Sequence, residues 1–251
     1  MLLEELDLSK LPRHVAVIMD GNGRWAERQG VSRAEGHEAG ARSVRKVIEA
    51  SRELGIEALT LYAFSTENWR RSRREVDALF RLLSKYVALE LENLHKEDIR
   101  VNIIGRRKGL PKRVAADLAR CEERTRGNTA MTLSVAINYG GRGEIADAAK
   151  AIAEEVRDGT LALEDVDEAC VAQHLYTVGL PEPDLLVRTS GELRLSNFLL
   201  WQLSYAEIIV TETLWPDFGK EEFAAVLAEY QRRERRYGGR KMRAGSKERG
   251  K

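Results

Sequence analysis

The chain has 251 residues, and its 41 Lys and Arg nearly cancel 40 Asp and Glu to leave a net charge of +1, so nothing global draws it to nucleic acid or an anionic membrane. Its two cysteines, Cys121 and Cys170, lie far apart without CxxC spacing, which argues against a disulfide framework and a thiolate zinc site. The opening MLLEELDLSKLPRH does not read as a signal peptide and no run approaches the roughly 20 apolar residues of a membrane span, so a cytoplasmic protein is expected.

The first apolar run of strand length is His14 to Met19. It leads directly into Asp20-Gly21-Asn22-Gly23-Arg24-Trp25-Ala26, where two glycines permit a tight turn with exposed N–H groups and a helix starting near Arg24 would aim its positive end at an anion. Arg24 adds a fork of donors suited to phosphate. Asp20, beside such a site, would be repelled by phosphate unless a cation lay between them, and on that ground Mg2+ is expected. Two other readings of the loop stay open. One is a plain turn in which Asp20 caps the helix. The other is dinucleotide binding, since GNGRWA fits GxGxxA after a strand. Against the latter, Glu67 at the next strand end lies far beyond the roughly 20-residue spacing of a ribose-binding acid, and Arg24 and Trp25 are bulky.

A helical pattern runs from about Glu35 to Leu54, with Arg33 and His37 one turn apart at its start, able to point the same way. The second strand, Ala58 to Phe64, is followed by Ser65-Thr66-Glu67-Asn68-Trp69-Arg70-Arg71. Ser65 or Thr66 alone would be read as a helix cap. The carboxylate, amide, indole and guanidinium groups beside them point to more. From Arg74 to Lys96 a helix about 35 Å long carries a wide apolar face, fit for a core helix or for the wall of a hydrocarbon tunnel.

Strands follow at Arg100 to Gly105 and Thr132 to Ile137, with helices at Pro111 to Arg124 and Glu144 to Asp158. A fifth strand, Asp184 to Val187, ends at Arg188-Thr189-Ser190-Gly191-Glu192, and Arg194-Leu195-Ser196-Asn197 comes just after, a second candidate anion site. The sixth strand, Ala206 to Val210, holds Glu207, which is either a surface acid on an edge strand or a group that pairs or binds metal. A last helix runs from Lys220 to Arg236. Residues 1–239 are expected to form one α/β domain, a mostly parallel six-stranded sheet flanked by helices, and residues 240–251 a basic, disordered tail. The sequence has no GxxxxGK[ST], GxSxG, HExxH or DDxxD.

HVAVIMDGNGRWAERQG, GHEAG, LYAFSTENWRR, INYGGRGEI and PDLLVRTSGELRLSNFLLWQLSYAEIIVTETLWPDF, in this order, resemble the signature blocks of the cis-prenyltransferase family, from about His14 to Gly239. The resemblance implies condensation of isopentenyl diphosphate onto an allylic diphosphate, usually farnesyl diphosphate, by a Mg2+-dependent homodimer with an apolar tunnel and at most peripheral membrane contact for product release. Asp20 matches the aspartate that works with Mg2+. Gly21, Asn22, Gly23, Arg24, Arg33, His37 and Arg71 match the allylic diphosphate site, and Arg188, Arg194 and Ser196 the isopentenyl diphosphate site. Ser65, Glu67, Asn68 and Trp69 match the block between the substrates, Asn68 as an aid to proton removal. Trp25, Thr66 and Leu195, inside these blocks, are counted as substrate-binding. Glu207 matches a metal ligand near the dimer contact, and Arg236-Tyr237-Gly238 a C-terminal RxG element. The chain departs from many relatives at Leu193, where His is frequent, and at Ser72, where Pro is common.

Overall fold

Strands that are apolar on both faces need helices on both faces. All six expected runs form strands of one sheet in a computed structural model, which describes residues 3–233. They are β1 (His14–Ile18), β2 (Ala58–Ser65), β3 (Ile99–Ile104), β4 (Met131–Tyr139), β5 (Leu185–Thr189) and β6 (Glu207–Thr211). Their order is β3-β4-β2-β1-β5-β6, and every neighbouring pair is parallel, so the sheet is wholly rather than mostly parallel. β1 and β5 are buried at every position.

The helices are α1 (Asn22–Gln29), α2 (Arg33–Glu53), α3 (Arg73–Lys96), α4 (Lys112–Thr125), α5 (Gly141–Arg157), α6 (Glu168–Gln173) and α7 (Lys220–Arg232). One core cluster joins Val15, Val17, Val47, Leu59 and Leu61 to Trp215, Phe223 and Leu227. Another joins Phe64, Ile103 and Ile137 to Val76 and Phe80 of α3 and Leu118 of α4. Ser32 starts α2 with a reciprocal cap, its hydroxyl accepting from the Glu35 N–H and the Glu35 carboxylate accepting from the Ser32 N–H. Ser72 caps α3, its hydroxyl accepting from the Glu75 N–H at 3.3 Å. The residue that stands where Pro is common thus caps the start of α3. Exposed Arg70, Arg71, Arg73 and Arg74 crowd the same end.

The topology selects where a ligand binds. The chain leaves β1 toward β2 on one side and leaves β5 toward β6 on the other, so the segments after these adjacent strands diverge and open a crevice at their carboxyl ends. Asp20 follows β1, and Ser190 follows β5. Arg236, Gly238 and the 240–251 tail lie outside the described residues. No helix among the described residues is long and apolar enough to cross a membrane.

Candidate active site

At the β1–β5 crevice, the Asp20 N–H donates to Thr189 Oγ1 at 2.9 Å, and that hydroxyl donates back to the Asp20 carbonyl at 2.7 Å. Beside them the Arg188 side chain, 4% exposed, donates Nη2 to Asp20 Oδ2 at 2.9 Å and Nη1 to Ser196 Oγ at 2.8 Å and to the Arg194 carbonyl. A buried guanidinium is tolerated only when paired in this way. Its Nε is buried with no partner among the described residues. Arg24 donates to the Ser190 carbonyl at 2.9 Å and lies 3.6 Å from both Asp20 and Glu192, while Glu192 also pairs with Arg194. Backbone strain gathers here as well: Ser190, Ser196, Asn197 and Leu199 have φ of 73°, 49°, 61° and 41°. Each such residue costs on the order of 1 kcal/mol and persists only where its surroundings hold it.

The loop after β1 turns at Gly21, which has φ 111° and a hypothetical Cβ 3.0 Å from Leu214, so glycine is required. α1 then begins at Asn22, two residues earlier than expected, and Asn22 lines the same cavity as Asp20. Arg33, on α2, is 64% exposed and lies 3.6 Å from Glu27. One turn on, burial holds the His37 imidazole down to about 4, Arg71 and Arg33 add to the effect, and Glu75 opposes it. His37, Arg33 and Arg71 thus share one electropositive neighbourhood. Trp25 is turned elsewhere: its indole donates to Asp217 at 2.7 Å, and it is outside the cavity lining.

After β2, residues Thr66–Arg70 form a short 3-10 helix. Asn68 Oδ1 accepts from the Ser65 N–H at 3.0 Å, so the group Asn68 has left to offer is its amide donor. Trp69 packs edge-on to Phe64 and tilted on Phe80, and its indole donates to Asn138 at 2.8 Å. Burial would raise the Glu67 carboxyl, but hydrogen bonds from Asn197, Ser65 and Thr66 outweigh it and hold Glu67 below its ordinary value. Arg71 is bonded to Glu75 at 2.9 Å.

These segments frame the mouth of a cavity of about 1210 Å³. Asp20, Asn22, His37, Ser65, Glu67, Asn68, Arg71, Arg188 and Ser196 line it at the polar end. Its body, between α2, α3 and the sheet, is apolar, with Ile48, Leu83, Val87, Leu94 and Leu133 in the wall. α3 is therefore at once a core helix, through Val76 and Phe80, and a cavity wall. At the far end Arg52 donates to the Glu97 carbonyl at 2.9 Å.

Other expected site residues do not converge on the mouth. Glu207 opens β6 opposite Leu185, four residues and so about 13 Å from the Thr189–Thr211 end of the sheet. It is bonded there to Arg233 at 2.9 Å. Asp20 and Glu207 of one chain therefore share no metal site. Leu195 packs with the Phe198 cluster, and Leu193 is 82% exposed. Among the described residues no three His, Cys, Asp or Glu side chains are grouped to hold a metal. Asp20 still fits Mg2+, which is commonly held by one or two carboxylates completed by substrate phosphates and water. Its side chain is 32% exposed and both cations bear on Oδ2. The single carboxylate fits an ion that would be completed by substrate oxygens and water better than a cage made of protein alone.

Sequence reasoning missed Glu144, which is 1% exposed. Its carboxylate accepts from Tyr139, from Gln202 and from the Tyr176 N–H, and burial pushes its pKa up against those bonds. In the sequence it reads as an ordinary acid in a first helical turn.

The family model for undecaprenyl diphosphate synthase matches residues 18–238, from the last residue of β1 onward, which takes in Asp20, Arg188 and Ser196. This chain belongs to that prenyltransferase family. An isoprenyl transferase from Heliobacterium mobile is 50% identical over 96% of this chain and 93% of that protein. The ditrans,polycis-undecaprenyl-diphosphate synthase ((2E,6E)-farnesyl-diphosphate specific) of Pasteurella multocida is 46% identical over 94% of this chain and 98% of its own. Among solved structures, lavandulyl diphosphate synthase from Lavandula x intermedia, in complex with dimethylallyl diphosphate, superposes with a TM-score of 0.90 at 39% identity. It covers 92% of this chain and all of its own. This chain thus shares the fold of that plant enzyme.

Proposed function

We propose that this prenyltransferase condenses isopentenyl diphosphate with farnesyl diphosphate to make undecaprenyl diphosphate, in the cytoplasm, as the lipid-carrier precursor for cell-wall synthesis. The observation that carries the reading is Arg188, a buried guanidinium that ties Asp20 to Ser196 at the mouth of a large apolar cavity. Two neighbouring anion cradles opening on hydrocarbon-sized space suit two diphosphates and a growing chain; a nucleotide has no use for the third feature. The farnesyl starter is taken from the name of the Pasteurella relative.

The allylic diphosphate lies against the N–H groups of α1, Arg24, Arg33, His37 and Arg71. Isopentenyl diphosphate lies against Arg188, Arg194 and Ser196. The allylic C1–O bond breaks as the isopentenyl double bond attacks C1, and a C2 proton leaves, giving one new carbon–carbon bond and pyrophosphate. Charge builds on the departing diphosphate, where dipoles and guanidinium groups already point, so they stabilise the transition state more than the ground state. Arg188 and Ser196 hold the nucleophile in line, and the Asn68 amide orients a neighbouring oxygen as a donor. Asp20 would hold Mg2+, which would supply further neutralisation of the leaving group.

The protein works as a homodimer. Its edge strand β6 carries exposed Ile208, with exposed Tyr205 two residues before the strand, and a sheet edge with exposed apolar neighbours invites pairing. Glu207, on that edge, serves a metal only in such an assembly. The test is incubation with labelled isopentenyl diphosphate, Mg2+ and each of dimethylallyl, geranyl and farnesyl diphosphate. Undecaprenyl-length product from farnesyl diphosphate is expected. Absence of pyrophosphate release with every starter overturns the reading, and short products alone replace the undecaprenyl assignment with a short-chain one.

A further inference from the structure

The segment that carries Ser196 passes through two consecutive left-handed residues, Ser196 and Asn197, and needs outside support. Asn197 supplies it in three directions. Its Oδ1 accepts from the Arg142 N–H at 2.9 Å and its carbonyl accepts from the Gly141 N–H at 2.7 Å, both at the start of α5. Its Nδ2 donates to Glu67 Oε1 at 2.9 Å, on the segment after β2. Gly140 closes over this junction: a Cβ there would sit 2.6 Å from Asn197 Nδ2 and 2.8 Å from Thr66 Oγ1, so nothing larger fits. Next along the chain, Ser196 holds Arg188, and Arg188 holds Asp20. An unbroken line of contacts, Glu67–Asn197–Ser196–Arg188–Asp20, crosses the site from the end of β2 to the end of β1.

We infer that Asn197 is a positioning residue for the condensation: it fixes Ser196 and Arg188 as the cradle of the second diphosphate and holds the Glu67 carboxylate beside them. Only an amide does both, because it accepts from α5 and donates to Glu67 at once. Aspartate keeps the α5 bonds and sets two carboxylates against each other. The identity of the substrate in this inference rests on the prenyltransferase reading; the contacts do not.

The test compares Asn197→Asp, Glu67→Gln and the double variant. At about pH 7.5, Asn197→Asp is expected to raise KM for isopentenyl diphosphate and lower kcat by about 10-fold or more, with KM for the allylic substrate within about 3-fold of wild type. Its activity relative to wild type should recover as pH falls, since a protonated carboxyl restores a donor between the two acids. The loss should be smaller on the Glu67→Gln background, where glutamine donates back to the new carboxylate. A loss that multiplies independently of Glu67, or that raises both KM values alike, overturns the inference. Where Asn197→Asp does not fold, Gly140→Ala reaches the same amide from its other side and should give the same split between substrates. Calorimetric titration with inorganic pyrophosphate decides the matter apart from turnover. Wild type should bind two pyrophosphates, one in each cradle, and Asn197→Asp should weaken one of them alone; a wild type that binds both but never condenses defeats the prenyltransferase reading alone, whereas unchanged affinity at both sites in Asn197→Asp defeats the role of Asn197.

Discussion

Gly23→Ala separates what the polypeptide requires from what a ligand requires. Gly23 is the second residue of α1, outside the left-handed region, and a Cβ built on it meets no atom within 4 Å. On folding grounds alone the substitution is favourable: alanine in a helix is better than glycine by about 0.4–1 kcal/mol, which in a protein of this size raises Tm by roughly 1–4 °C. The same methyl stands over the first-turn N–H groups assigned to the allylic diphosphate. Loss of one charge-assisted hydrogen bond costs about 1.5–3 kcal/mol, or roughly 10- to 100-fold in affinity. Thermal unfolding and KM for farnesyl diphosphate, read from pyrophosphate release, should therefore move in opposite senses, a more stable protein that binds its starter worse. A variant that is more stable and binds the starter as wild type does would refute the placement of an anion on α1. Gly21→Ala is the contrast, destabilising without any ligand because of φ 111° and the contact with Leu214.

Asp20→Asn, which keeps an acceptor for Arg188, should leave the fold intact and reduce kcat by about 100-fold or more, far beyond any change in allylic affinity; wild-type turnover would remove the Asp20 carboxylate from the mechanism. Chelation of Mg2+ should abolish turnover without lowering Tm of the substrate-free protein, because one carboxylate does not hold the ion alone; a fall in Tm on chelation would point to a protein-only metal site. His37, held down to about 4 by burial and by Arg71 and Arg33, is neutral in the free enzyme at pH 6. A diphosphate beside it favours the protonated ring, so binding near pH 6 should take up a proton, seen as an enthalpy that varies with the buffer; a buffer-independent enthalpy would place the diphosphate elsewhere. His14 is buried, with its pKa lowered mainly by desolvation, and bonded to Thr60 and the Pro181 carbonyl. The unfolded chain takes up a proton below about 6.5 that the folded chain refuses, so stability should be full above that pH and decline as pH falls through it; a flat profile from pH 7.5 to 5.5 would contradict this.

Strand positions were legible because β1 and β5, buried throughout, leave continuous apolar runs such as His14-Val15-Ala16-Val17-Ile18. Their order was not, since the insertion of β4 between β3 and β2 depends on crossovers that leave no local mark. α6, only Glu168–Gln173, is too short to show a helical period. The residues around Asp20 could be named because motif spacing preserved them, and Arg24, Arg188 and Ser196 do meet there. The part played by Asn197 could not, because its partners Arg142 and Glu67 lie 55 and 130 positions away. Trp25 and Leu195 sit inside the same motifs, yet their side chains serve packing and a bond to Asp217.

The start of α3 sets Arg73 and Arg74 in the first turn and Arg70 and Arg71 just before it, at the pole where a helix already carries fractional positive charge. Glu75 and the Ser72 hydroxyl offset only part of that load. Of the four, Arg71 lines the cavity mouth, so a polyanion bound there would relieve part of the rest. Because Leu83 and Val87 of this helix also form the apolar wall, a diphosphate bound there as proposed would firm the surface against which its own hydrocarbon tail would lie.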